Sequence, residues 1–207
     1  MEDQFDFEEW DEHKWEEYFQ EEDRKHQRFQ ELLDKYGHDE EGFLKAMEEM
    51  GWGIPEIEEP EEEEPQDIDE ILEAEFGSWE PDKEQRHPHP LFKRMYQLTL
   101  DTTDILHGIE VQSREDSPVI FLNGIYESLS KLIRAGYDNL EAKIETPRGL
   151  ALACLKRVRR SLLSSLLVLP KLQTSTRLAP HLFDYLRDEI TALLQEVNDE
   201  IREVKGR

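Results

Sequence analysis

From Pro90 to the C-terminus, apolar residues recur with the period of an α-helix. Leu91, Met95, Leu98, Thr102, Ile105 and Ile109 step by four and three, with Phe92 and Leu106 alongside. A polar turn follows, and Ser117-Pro118 reads as a cap and a favoured first helical residue. In the second helix Val119, Leu122, Ile125, Tyr126, Leu129, Leu132 and Ile133 are expected to face inward, with Gly136 as the stop. A loop of about ten residues is expected before Thr146-Pro147 opens a third helix. That helix is the most apolar window of the chain. Its stripe is Leu155, Val158, Leu162, Leu166 and Leu169, widened by Leu152, Leu163 and Leu167, and Pro170 is expected to end it. A fourth helix starts between Thr176 and Pro180 and carries the seam Leu182, Leu186, Ile190, Leu193, Val197, Ile201 and Val204.

No alternation of β-branched residues competes with this period. The fold class expected is all-α: a C-terminal up-down-up-down four-helix bundle over residues 90–207, preceded by an acidic, mostly helical N-terminal arm.

The arm, residues 1–53, has a weaker period. Trp15, Phe19, Phe29, Leu33 and Tyr36 approximate one helical face, with Phe5, Phe7, Trp10 and Tyr18 before and between. Gly37 is a stop, and His38-Asp39 restarts a helix to about Met50, giving a small hairpin over 26–50. Residues 54–66 are a Pro/Glu-rich linker, expected to be solvated and extended. Residues 67–89 hold a short amphipathic helix, with Ile68, Ile71, Leu72 and Phe76 as its stripe, and a connector ending His-Pro-His-Pro. A helix so short needs a groove to dock in.

Charge divides the chain in the same place. Residues 1–87 hold 34 acidic and 8 basic side chains, a net of −26, while residues 88–207 hold 16 and 17, a net of +1. Such a leader repels duplex nucleic acid, so direct nucleic-acid binding is not expected. It attracts a basic protein surface. The single Cys154 excludes an intrachain disulfide and reads as a small packing residue. The acidic N-terminus is neither a signal nor a transit peptide, and basic residues interrupt the most apolar window, so a cytoplasmic protein with no membrane span is expected.

Candidate chemistry is sparse. On the third helix Lys156, Arg157 and Arg160 are expected to form an outward basic patch, onto which the acidic arm could fold back. Arg159, about 40° from Leu155, falls in the apolar stripe and is the candidate for a buried ion pair. Its possible partners are Glu110, Glu189, Glu196 and Glu200. Asp104 and His107 have metal-ligand spacing, echoed by His181 and Asp184, but both pairs fall off the apolar stripes. His87 and His89 lack further ligands, and Ser161, Ser164 and Ser165 have no base nearby. No phosphate loop, dinucleotide fingerprint or zinc pattern occurs, so no catalytic residue, no metal ligand and no cofactor is assigned.

These features point to a non-enzymatic adaptor or regulatory protein. Trp10, Trp15, Tyr18, Phe19, Phe29, Ile68, Ile71, Leu72 and Phe76 are the expected contacts with a partner that offers a basic groove. Two alternatives compete with it. One is a carboxylate/His metal-binding bundle, an enzyme or a metal store; the other is a homodimer built by exchanging the arm.

Overall fold

The structure, a computed structural model, describes residues 10–52, 88–109, 111, 113 and 115–206. All regular structure among them is helical. The described residues fall into two compact units, one holding 10–15 and 88–206, the other 16–52. The Pro/Glu linker and the short helix at 67–76 lie outside the described residues.

The smaller unit is a helical hairpin. Its first helix, α1 (Glu12–Tyr36), begins in the larger unit and supplies the hairpin from residue 16 onward. Ion pairs of Lys25 with Glu21 and Glu22, at 3.2 and 3.1 Å, lie one turn apart on its solvent side. Gly37 stops it at φ +108°, a conformation costly for any residue with a Cβ. Asp39 then caps α2 (Glu40–Glu49), its Oδ1 accepting from Gly42 N at 2.9 Å. Leu32, Leu33 and Ala46 form the hairpin's core, with Phe29, Tyr36 and Met50 packed around them.

The larger unit is a four-helix bundle. Its long helices are α3 (Pro90–Leu106), α4 (Ser117–Arg134), α6 (Arg148–Thr176) and α7 (Pro180–Gly206). A six-residue helix, α5 (Leu140–Glu145), occupies the connection that the sequence pattern assigns to a loop. Packing runs α3 to α4, α4 to α6, α6 to α7 and α7 back to α3, which closes a ring. Cross-links fix an antiparallel order. His89 N donates to Tyr137 O at 2.9 Å, and Thr103 meets Tyr126 at 2.8 Å. Ser117 bonds Ser175 at 2.7 Å, and Ser161 donates to Glu127 at 2.9 Å. Arg148 Nη2 donates to Lys205 O at 2.7 Å.

Arg94 locks α3 to α7. Its guanidinium takes both oxygens of Glu189, at 2.9 and 3.1 Å, and Glu196 at 2.5 Å. Further along the same pair of helices, the Tyr185 hydroxyl donates to Asp101. Burial first, and then the Asp101 carboxylate, push that phenol up to about 12. Inside the ring Leu91, Met95, Leu98, Phe121, Ile125, Leu132, Leu155, Val158, Leu162, Leu169, Leu186, Ile190, Leu193 and Val197 are buried.

Three expectations from the pattern are corrected. First, α4 is rotated. Phe121, Ile125, Ser128 and Leu132 are its buried row, whereas Tyr126 and Ile133 are about half exposed. The cause is a close crossing of small residues. A Cβ on Gly124 would lie 2.3 Å from Ser165 Oγ. Ser128 and Ser165 donate to Gly124 O and Ser161 O within their own helices, at 2.8 and 3.1 Å, so their hydroxyls are buried satisfied.

Second, Pro170 does not end the third long helix; α6 runs on to Thr176. An interior proline costs about 3 kcal/mol. Leu169 and Leu172 on either side of it are completely buried and offset that cost. The helix ends instead at Arg177, in the left-handed region at φ 55°. Third, Leu163 and Leu167 are exposed rather than part of the core stripe.

Candidate functional site

Several aromatic residues expected to be partner contacts serve the molecule's own fold. In the larger unit Trp15 is buried and packs edge-to-face on half-buried Trp10, ring centroids 5.1 Å apart. This segment lies on the start of α6: a Cβ on Gly149 would stand 2.1 Å from Trp10 O. Glu12 Oε2 pairs with Lys156 Nζ at 2.7 Å, and Lys156 holds the Glu12 carboxyl below its usual range. In the smaller unit Phe19 is buried and Tyr18 is half-buried. Trp15 and Phe19 are therefore corrected from partner contacts to core residues, because their rings are already out of water. Ile68, Ile71, Leu72 and Phe76 lie outside the described residues.

Two accessible rings of the hairpin sit together. Phe43 and Trp52 are 45% and 38% exposed. Both pack on half-buried Phe29, with centroids at 5.5 and 5.1 Å. The packing of α2 against α1 brings Phe29 and Phe43 together, and the turn after α2 swings Trp52 back, its N–H donating to Met47 O at 3.0 Å. Between Glu16 and Trp52 there are twelve acidic and five basic side chains. The basic Arg28 and Lys35 both reach Glu49, at 3.5 and 3.4 Å, and Lys45 reaches Glu41 at 2.5 Å. The surface around the rings is thus anionic, with its cations engaged by its own carboxylates.

The basic residues of α6 change places relative to expectation. Arg157, expected outward, is 4% exposed, while Arg159, the expected buried cation, is exposed. Arg160 is exposed as expected, and Lys156 is the partner of Glu12. The α6 face that carries Ala153, Cys154, Ser161 and Ser165 is buried together with the Leu155 stripe, and Arg157 lies on that face. We expect Arg157→Ala to lower the urea unfolding free energy by about 2–4 kcal/mol. Arg159→Ala should stay within about 0.5 kcal/mol of the wild type.

Three of the four carboxylates considered for Arg159 have other partners. Glu189 and Glu196 hold Arg94, and Glu110 lies outside the described residues. Glu200 sits at the centre of a polar cluster that the sequence pattern does not reveal. It accepts from the Tyr137 hydroxyl at 2.7 Å and from Lys143 Nζ at 2.8 Å, both on Oε2. His89 Nε2 approaches Oε1 at 3.2 Å. All four side chains are largely buried. A cavity of about 260 Å³ lined by Tyr137, Lys143, Thr146 and Arg148 opens beside them. The one sequence hint was the position of Glu200, at the edge of the α7 stripe next to Ile201.

His89 Nδ1 accepts from Leu91 N at 3.2 Å, so the ring proton of the neutral form sits on Nε2 and donates to Glu200. Burial holds the His89 pKa below its ordinary 6.5; Glu200 opposes this and Lys143 adds to it. Just below that ordinary value the unfolded ring takes up a proton that the folded ring does not. Stability from this group is therefore complete above about 6.5 and is lost as pH falls through the lower folded value. We expect the thermal midpoint to drop between about pH 7.5 and pH 5. The drop should be smaller in His89→Asn, which keeps the helix cap.

Asp104, His107, His181 and Asp184 are exposed, as their phase requires. Among the described residues no three His, Cys, Asp or Glu side chains come together as a metal-binding group, and no helix is long and apolar enough to cross a membrane. Cys154 is buried and in no disulfide, and His87 lies outside the described residues. Comparison with known proteins gives no matching family model, no similar curated protein and no similar solved structure.

Proposed function

We propose that the protein is a non-enzymatic interaction protein that docks its acidic hairpin on a basic partner surface, with Phe29, Phe43 and Trp52 as the apolar anchor. The observation that carries this reading is the pair of exposed rings, Phe43 and Trp52, seated together on Phe29 in an anionic surround. Large rings held in place by a neighbour bury much area at small entropic cost. The surrounding carboxylates steer the approach of a cationic surface and reject an anionic one.

The test is affinity capture with the full-length chain, comparing wild type with the double variant Phe43→Ser/Trp52→Ser. A basic protein held by the wild type at low salt, released by high salt and lost in a variant of unchanged helicity supports the reading. Equal capture by the two proteins removes it.

A further inference from the structure

Helix α6 differs from the rest of the chain in charge. Its 29 residues contain six cations and no carboxylate, in a protein with 50 acidic residues. On its outer side Arg159, Leu163, Leu167 and Lys171 follow one another at intervals of four, which places them in a single row. All four are exposed, Leu163 at 47% and Leu167 at 82%. The row spans roughly 18 Å, at 1.5 Å per residue. A cation stands at each end and two leucines lie between, neither spent on the core of the bundle. Solvated helix faces carry polar residues at such positions; a pair of leucines between two cations is the pattern of a contact surface.

The hairpin presents the complement. Helix α2 is 10 residues long, roughly 15 Å. It carries exposed Glu40, Glu41 and Glu48 and the exposed Phe43 ring, Glu40 being nearest to the Phe43 face, and Trp52 lies just beyond its end. An anionic surface carrying two exposed rings complements a row of two leucines flanked by cations.

Resting on the docking role proposed for the hairpin, we infer that its basic partner is a second copy of this chain. Phe43 and Trp52 of one molecule seat on the Arg159–Leu163–Leu167–Lys171 row of another. The distribution of charge selects this orientation. Two acidic leaders of net −26 each repel one another, whereas a leader meeting the near-neutral residues 88–207 does not. The contact is therefore between unlike surfaces, the hairpin of one copy and the bundle of the next.

The experiment is sedimentation equilibrium of the full-length protein across a concentration series at physiological salt. Wild type is compared with a strip variant, Leu167→Glu/Lys171→Glu, and with the hairpin variant Phe43→Ser/Trp52→Ser. Wild type associates with rising concentration, and each variant alone associates at least about tenfold more weakly. An equimolar mixture of the two variants associates again, since each contributes the surface that the other lacks. A wild type that is monomeric throughout, a variant that associates like wild type, or a mixture that stays monomeric overturns the inference. If wild type is monomeric while the hairpin variant still loses a basic protein that wild type captures, the docking role survives and only the identity of the partner falls.

Discussion

Glu200→Ala lowers the unfolding free energy by about 3–5 kcal/mol, the largest effect expected of any polar substitution in the bundle. One carboxylate accepts from three donors on three different segments: His89 at the start of α3, Tyr137 after α4 and Lys143 on α5. The Lys143 side chain is 9% exposed, and without Glu200 its charge has no acceptor from this cluster. Removing one member of such a group leaves the others desolvated and unpaired, which costs more than the pairing contributed. The measurement is urea unfolding followed by circular dichroism. A second variant separates charge from packing: Glu200→Leu combined with Lys143→Met removes both charges and keeps apolar volume. It should recover a substantial part of the lost stability. A single Glu200→Ala within about 1 kcal/mol of wild type would show that the cluster is not a clasp.

Phe121→Ala destabilises by about 3–5 kcal/mol, whereas Tyr126→Ala costs about 1 kcal/mol. The apolar pattern ranks these two the other way round, with Tyr126 inward and Phe121 absent from the seam. In the structure Phe121 is completely buried, while Tyr126 is about half exposed and retains one hydroxyl contact, to Thr103. Deleting a buried phenyl ring leaves a cavity that the surrounding helices only partly fill; deleting an exposed ring leaves water in its place. Thermal or urea unfolding of the two single variants decides between the two rotations of α4. Equal losses would mean that the small-residue crossing at Gly124 and Ser165 does not set the rotation.

Together these substitutions separate interactions along the chain from interactions across it. His89 caps its own helix through Nδ1, a local event suited to a residue just ahead of Pro90. That its other nitrogen meets Glu200, 111 positions later, follows only from the antiparallel return of α7. The accessible aromatic cluster has the same origin. Phe29 is legible as an apolar position of α1, but nothing in the helical period places Trp52 beside it. The fold of α2 against α1 makes it the third ring of a surface group.

What the sequence determined by itself was the period. The seams of α3 and α7, the stop at Gly37 and the restart at His38-Asp39 rest on interactions within about one helical turn and are present, whereas the cap expected at Ser117 falls one residue earlier, on Asp116. Charge segregation was equally plain, because it is a property of composition. Tertiary structure alone decided rotation and pairing: which side of α4 and α6 turns inward, that Arg157 rather than Arg159 is buried, and that Pro170 is carried through. The physical reason lies in how burial is chosen. Hydrophobic period marks where an apolar face could be buried, but small residues such as Gly124, Ser161 and Ser165 let two backbones approach more closely than leucines do. That approach is a relation between two helices, and neither helix's own pattern contains it.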